Sequence, residues 1–320
     1  MVQVWVPYPE MVADLGRLGG DVRADLFTGN DTGNDDVPGS AKDVEFYVVP
    51  YSFGLARLEL AAQMPSLRVM QTLTAGYDHA VPYVPLGVTL CSARGVHDAS
   101  TAELAVALTV ASLRRIPEFV RAQEGGEWRH AAAPSLADRH VLIVGYGSIG
   151  AAVERRLLPF ETTVTRVARR PRPDQDVHGT DELPNLLPLA DVVIIVTPLT
   201  AETRHMVDVE FLARMKERAL LVNVARGAVV DTTALLDALN AGHVRAALDV
   251  TDPEPLPADH PLWHAPGVLI SPHVGGNSTA FLPRARAMVR EQVTRYLQND
   301  PLANVIVAGG AANPRGPAKE

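Results

Sequence analysis

The segment HVLIVGYGSIG, residues 140–150, constrains the fold of this chain more than any other. An apolar run, Val141 to Val144, leads straight into Gly145-x-Gly147-x-x-Gly150, and the helix-compatible AAVERRLL follows. Strand, glycine turn and helix in that order open a dinucleotide-binding βαβ unit. The first two glycines allow a tight turn and close approach of a pyrophosphate; the third lets helix and strand pack together. The diphosphate would then meet the unpaired N–H groups and positive end of a helix beginning near Ser148. Glycine turns are common, so the motif alone is weak evidence. Its placement between these two elements is what makes it specific.

The chain has 320 residues, enough for two domains. With 47% apolar residues and a net charge of −8, it reads as an ordinary globular protein and not as a general binder of nucleic acid or anionic membrane. No apolar run approaches the roughly 20 residues that cross a bilayer. The sequence MVQVWVPYPE lacks the pattern of a signal peptide, so a cytoplasmic location is expected. The single cysteine, Cys91, excludes an internal disulfide and any multi-cysteine metal site. Its setting, VTLCSA, marks it as a small core residue. No metal is expected.

The first hundred residues alternate apolar runs (VQVWV, DVEFYVV, LRVMQTL, GVTLCSA) with helical patterns, which implies a parallel sheet with crossover helices. The stretch 28–42 is rich in Gly, Asn and Asp and reads as a loop. Residues 97–123 read as one long helix joining two domains, with Asp98 or Ser100 as N-cap. A second alternating series begins at Val141, with strands VLIV, TVTRVA (163–168), DVVIIV (191–196), ALLVNV (219–224), VRAALDV (244–250) and GVLIS (267–271). A final helix is expected over about 279–299, before a Gly/Ala/Pro-rich tail.

The end of the second strand of a dinucleotide fold contacts the adenosine ribose. A carboxylate there favours NAD, whereas an arginine accommodates the extra phosphate of NADP. Here Ala168 occupies that place, and Arg169, Arg170 and Arg172 follow with no carboxylate between Thr162 and Pro173. A guanidinium can bind the phosphate through paired, charge-assisted bonds. NADP(H) is therefore favoured and NAD(H) remains open; the alternative is a solvated basic loop. Three later segments carry ionisable groups at strand ends: Arg226 after ALLVNV, Glu254 after AALDV and His273 after GVLIS. Transfer of a hydride to an α-keto acid needs such a trio. A cation holds the carboxylate and polarises the carbonyl, an imidazolium supplies the proton, and a carboxylate beside an imidazole favours the charged ring. Singly, each has another reading: a surface ion pair for Arg226, an exposed loop carboxylate for Glu254, a turn cap for His273. Their joint placement at strand ends points to a site.

At these segments the chain resembles the D-isomer-specific 2-hydroxyacid dehydrogenases, in particular their glyoxylate and hydroxypyruvate reductases. The matching pieces are GYGSIG, TPLTAETRHM, LLVNVARGAVVD, AALDVTDPEPLP and SPHVGG, in order and with family-like spacing, and the resemblance covers nearly the whole chain. The resemblance implies an α/β architecture of two doubly wound parallel-sheet domains. A Rossmann NAD(P)-binding domain, 99–279, would be inserted into a flavodoxin-like substrate domain, 1–98, completed by 280–320. It implies that Arg226 binds substrate, that His273 is the general acid/base and that Glu254 assists it. Ser148 and Ile149 amides would meet the pyrophosphate, and Thr197, Val224, Ala225, Asp249 and Gly275 would line the rest of the cofactor site. Ala75 and Gly76 would offer amides to the substrate carboxylate, with Tyr51, Ser52 and Phe53 walling the pocket. The long helix resembles the arm through which family members form homodimers. The expected activity is hydride transfer between NADP(H) and a small 2-keto or 2-hydroxy acid. The alternatives are a non-catalytic dinucleotide-sensing interaction protein and a dehydrogenase of a larger 2-keto acid.

Overall fold

The computed structural model describes residues 1–29, 37–51 and 55–309. Residues 30–36 of the loop expected at 28–42, the pocket residues Ser52 and Phe53, and the tail beyond residue 309 lie outside the described residues. The chain divides into two compact units, one of Met1–His97 with the segment from Thr279 onward, the other Asp98–Ser278.

With strands numbered in chain order, the first unit holds β1 (Val2–Val6), β2 (Val22–Leu26), β3 (Val44–Val48), β4 (Val69–Gln71), β5 (Thr89–Cys91) and β13 (Val305–Val307), arranged β13-β5-β4-β3-β1-β2. Without β13 this is the flavodoxin-like order. Valine-rich strands supply both faces of a covered sheet. Val2, Val4, Val6, Phe46 and Val48 face one core with the helix Phe281–Gln298, while Trp5, Val44 and Tyr47 face another.

The second unit holds β6 (His140–Val144), β7 (Thr163–Val167), β8 (Val177–His178), β9 (Val192–Ile195), β10 (Ala219–Asn223), β11 (Val244–Leu248) and β12 (Val268–Ile270). All are parallel in the order β12-β11-β10-β9-β6-β7-β8, the doubly wound Rossmann order extended by one strand. Alternate residues serve opposite layers: Leu142, Val144, Val193 and Ile195 point to one core, Val141, Ile143, Val192 and Ile194 to the other. Aspartates start two of the helices beside this sheet, Val209–Arg214 and Thr232–Asn240. Asp208 accepts from the Phe211 amide, and Asp231 from the amides of Thr233 and Ala234.

Three expectations need correction. The first sheet is not wholly parallel, because β13 pairs antiparallel with β5 and places part of the expected tail in the sheet. The helix expected over 97–123 is two, Asp98–Leu113 and Ile116–Glu124. Arg115 at φ 58° turns the chain left-handed, and Pro117 in the next first turn, lacking an N–H, begins the second helix. Asp98 is itself the first helical residue, and its carboxylate accepts from the Ser148 hydroxyl at 3.1 Å. Cys91 is buried within β5, and burial pushes its thiol pKa up to about 12.

Candidate active site

In the second unit every expected site residue follows the C-terminal end of a strand of one parallel sheet. His273 follows β12, Glu254 β11, Arg226 β10, Thr197 β9, the glycine turn β6, and Arg169 with Arg170 β7. That sequence is also the spatial order of the strands, so the groups form a strip along one edge of the sheet. The glycine turn lies where the winding reverses, between β9 and β6, the usual place for a ligand in an open α/β sheet.

Each motif glycine has its own reason. Gly145 has φ 107°, and a Cβ there would lie 2.6–2.7 Å from Val196 and Thr197 backbone atoms. At Gly150 a Cβ would stand 2.9 Å from the Gly145 carbonyl oxygen, so this glycine permits the helix Ser148–Leu157 to sit against β6. A Cβ at Gly147 would meet nothing within 4 Å. Open space therefore lies directly above the helix N-terminus, where the first amides have no intrahelical acceptor. The buried Oγ1 of Thr197 has no hydrogen-bond partner among the described residues. An open cradle at a helix start and an unpaired hydroxyl on the adjacent strand end fit a dinucleotide diphosphate. Arg169 and Arg170 are exposed beyond β7.

At the other flank, the Glu254 carboxylate meets Nδ1 of His273 in a short contact. Each side chain keeps about 30% of its surface exposed, 31% for Glu254 and 28% for His273. Glu254 lies between two cis prolyl bonds, Asp252-Pro253 and Glu254-Pro255. His273 adopts φ 51°, a left-handed conformation that costs a non-glycine residue on the order of 1 kcal/mol. Asp249 holds it there. Its carbonyl accepts the His273 amide at 2.7 Å, and its buried carboxylate accepts the Val274 and Gly275 amides at 2.9 and 2.8 Å and the Ser271 hydroxyl at 2.6 Å.

Arg226 is half-buried directly after β10. Asn223 shapes its loop: the side-chain amide donates to the Arg226 carbonyl at 2.9 Å, and its oxygen accepts the Ala225 N–H at 3.0 Å. Val224 and Ala225 are buried beside it. At Gly227 a Cβ would lie 1.8 Å from the Thr251 carbonyl oxygen. Only glycine lets the Arg226 loop approach the loop that carries Glu254.

In the first unit, Ala75 and Gly76 lie in the loop after β4, where the Thr74 hydroxyl donates to the Gly76 carbonyl at 2.7 Å. Tyr51, after β3, stacks with His97 and Phe281 at centroid distances of 5.6 and 4.9 Å. Reasoning from sequence missed Gly227, Asn223 and Ser271. Of these, Asn223 gave a signal, a polar residue ending an apolar strand. Among the described residues no group of His, Cys, Asp or Glu could hold a metal ion, and no helix is long and apolar enough to cross a membrane.

A doubly wound sheet with a diphosphate cradle and a carboxylate–imidazole pair along one edge defines a nicotinamide-dinucleotide oxidoreductase. A family model, "D-isomer specific 2-hydroxyacid dehydrogenase, NAD binding domain", matches residues 106–275. The glyoxylate reductase/hydroxypyruvate reductase of Mus musculus is 36% identical over 261 residues, 76% of this chain and 80% of that protein. The mitochondrial formate dehydrogenase of Solanum tuberosum is 30% identical over 281 residues, 83% of this chain and 74% of its own. The structure of a D-isomer specific 2-hydroxyacid dehydrogenase from Xanthobacter autotrophicus Py2, in complex with NADPH and MES, covers 96% of this chain and 98% of that one at 29% identity and a TM-score of 0.77. This chain belongs to the D-isomer specific 2-hydroxyacid dehydrogenase family. It is an NAD(P)-dependent enzyme of small 2-hydroxy and 2-keto acids.

Proposed function

We propose that this enzyme reduces a small 2-keto acid, glyoxylate or hydroxypyruvate, with NADPH. The observation that carries the chemistry is the Glu254 carboxylate on Nδ1 of His273, on the strand-end loops beside that of Arg226. When bound, the nicotinamide supplies the hydride that reduces the keto carbon. Glu254 anchors Nδ1, orienting the imidazole so that Nε2 is the nitrogen that delivers a proton to the developing alkoxide. The Arg226 guanidinium binds the substrate carboxylate and polarises the carbonyl. In the first unit, Ser52 and the backbone amides of Ala75 and Gly76 are the proposed substrate-binding groups. The Ser148 and Ile149 amides hold the diphosphate, with Gly145, Gly147, Gly150, Thr197, Val224, Ala225, Asp249 and Gly275 around the cofactor.

Support for NADPH comes from Ala168 in place of a carboxylate and from the exposed pair Arg169 and Arg170 at the end of β7. The preference for glyoxylate or hydroxypyruvate rests on the reductases among the relatives. A homodimer is part of the same reading. The helix Ile116–Glu124 leaves Ile116 and Val120 about half exposed, at 44% and 51%, and Trp128 beyond it almost wholly so.

A steady-state panel of keto acids with NADPH and NADH tests the proposal. The highest kcat/KM is expected for glyoxylate or hydroxypyruvate with NADPH; a branched or aromatic acid at the head of the panel, or a preference for NADH, would refute it. His273→Ala should lower kcat by about a hundredfold or more, the usual worth of a positioned proton donor, and leave NADPH affinity unchanged.

A further inference from the structure

Tyr146, the residue between the first two glycines of the turn, has every polar group engaged: one by the second strand, one by the loop after it and one by the helix Ser148–Leu157. Its N–H donates to the Val167 carbonyl at 2.8 Å, beside that of Gly145 at the same distance. Its carbonyl accepts Nη2 of Arg172 at 2.7 Å. Its hydroxyl donates to Oε2 of Glu154, whose other oxygen takes Nε and Nη2 of Arg166 at 2.8 and 2.6 Å. Glu154 is buried on the helix that starts at Ser148, and Arg166 lies on β7. The guanidinium carbons of Arg166 and Arg172 lie 5.5 and 5.8 Å from the centre of the Tyr146 ring, within cation–π range.

Arg172 is also where the loop after β7 closes. Its N–H donates to the Val177 carbonyl at 2.8 Å and its carbonyl accepts from the Val177 amide at 3.1 Å, while the Ala168 amide reaches the His178 carbonyl at 3.0 Å. Arg169 and Arg170 sit between those two anchor points. Of the three arginines that read alike in the sequence, only Arg172 turns back to the glycine turn, and its buried Nε has no partner among the described residues.

We propose that Arg172 is a positioning residue for the dinucleotide. By holding the Tyr146 carbonyl it keeps the Tyr146–Gly147 peptide in the one orientation that leaves the space above Gly147 open to a diphosphate. Through its backbone it sets the loop that presents Arg169 and Arg170. The Gly147 N–H of this peptide donates to the Gly145 carbonyl at 2.7 Å, and Arg172 holds its other end. With the Arg172 bond lost, the peptide plane could flip about its flanking dihedrals and exchange its N–H and C=O positions, so the turn would have to be reordered when the cofactor binds. The effect belongs to the diphosphate that both nicotinamide coenzymes share, whereas an arginine contacting the ribose phosphate discriminates between them. This inference rests on the dinucleotide reading of the glycine turn.

The test measures dissociation constants of NADPH and NADH by fluorescence, and amide hydrogen exchange of the segment 143–149 in cofactor-free protein. Arg172→Ala should weaken NADPH and NADH alike, by about tenfold, which corresponds to about 1.4 kcal/mol. It should speed exchange across 143–149 and leave kcat at saturating cofactor within about twofold. Arg172→Lys, which keeps the charge but not the planar fork, should recover part of the loss. Arg169→Ala should weaken NADPH far more than NADH. The proposal is overturned if Arg172→Ala binds both coenzymes as the parent does, if it loses NADPH alone, or if exchange across 143–149 is unchanged. Parent protein that binds neither coenzyme would instead defeat the dinucleotide reading itself.

Discussion

Gly227→Ala adds a single carbon, and the structure leaves that carbon no room. Built on the present backbone it would lie 1.8 Å from the Thr251 carbonyl oxygen, 2.0 Å from the carbonyl carbon and 2.6 Å from the Asp252 nitrogen. Real Cβ contacts stop near 3.0 Å, so the two loops must part by about 1.2 Å or more. The obstacle is main chain, which cannot swing aside as a side chain would. β10 and β11 are paired over their full lengths from Ala219 and Val244, so the displacement falls on the loops that follow them. One loop begins with Arg226; the other carries Glu254 two residues beyond Asp252. The bond from the Thr232 hydroxyl to the Asp252 carbonyl, 2.9 Å, also lies in its path. Overpacking of this kind costs about 1–3 kcal/mol of stability. A displacement of about 1 Å between catalytic groups costs about a hundredfold in rate. The expected result is a kcat/KM for glyoxylate roughly a hundredfold below the parent, with a smaller loss of NADPH affinity, because Val224 and Ala225 lie in the displaced loop while the glycine turn lies two strands away on β6. The assays are steady-state kinetics, NADPH fluorescence titration and thermal melting. A variant with parental kcat/KM and an unshifted melting curve would refute the close approach and its place in catalysis.

Gly147→Ala is the contrasting case. Its φ of −100° suits alanine and its Cβ meets nothing within 4 Å, so melting should be unchanged while NADPH affinity falls about tenfold or more; parental affinity in titration would contradict the cradle. The Val274 and Gly275 N–H groups bond different oxygens of Asp249, so Asp249→Asn sets a donor amide against one of them and leaves an oxygen for the other. It should cost about 3 kcal/mol and lower Tm by roughly 6–12 °C, and a loss under about 1 kcal/mol in urea titration would argue against the pinning of the His273 loop. With its thiol pKa pushed up to about 12, Cys91 holds only about one thiolate in ten thousand at pH 8. A disulfide reagent should therefore modify the native protein roughly a thousandfold more slowly than the urea-unfolded chain, where the thiol returns to its ordinary value; equal rates would show that the residue is reachable.

Features carried by contiguous residues were legible in the sequence. The glycine turn, the apolar strands and each member of the strand-end trio with its own strand declare themselves within a dozen residues. Elements whose stability comes from partners distant in the chain were not. β2 reads VRADL, with charges in an edge strand exposed on several positions, and so lacks an apolar run. β8 has only two residues, and β13 takes its place by pairing with β5, some 214 residues earlier by the Val305–Cys91 match. The break at Arg115 is a backbone choice, marked only by Pro117 two residues on. In the site, the residue types of Arg226, Glu254 and His273 could be read from their positions after strands. The Glu254–His273 contact joins separate loops, so their spacing did not show it and only the family resemblance implied it. Gly227 looks like any turn glycine until Thr251 is seen against it, and Arg172 looks like its neighbours until its guanidinium is traced to Tyr146.

The strip of groups along the second sheet has a consequence for how this enzyme could be altered. The arginines proposed to read the coenzyme follow β7 and the proposed proton donor follows β12, five strand spacings apart, or about 24 Å at ~4.8 Å each. Substitutions at such a separation, without shared neighbours, combine additively in free energy. Arg226 follows β10, three spacings or about 14 Å from β7, which is still beyond the roughly 7–10 Å at which substitutions usually couple. A change at Ala168 and Arg169 should therefore multiply with one at Arg226 or its loop, and a variant library need not explore the two flanks jointly. Coenzyme preference and acid specificity can be retuned as independent characters, each selected in its own round.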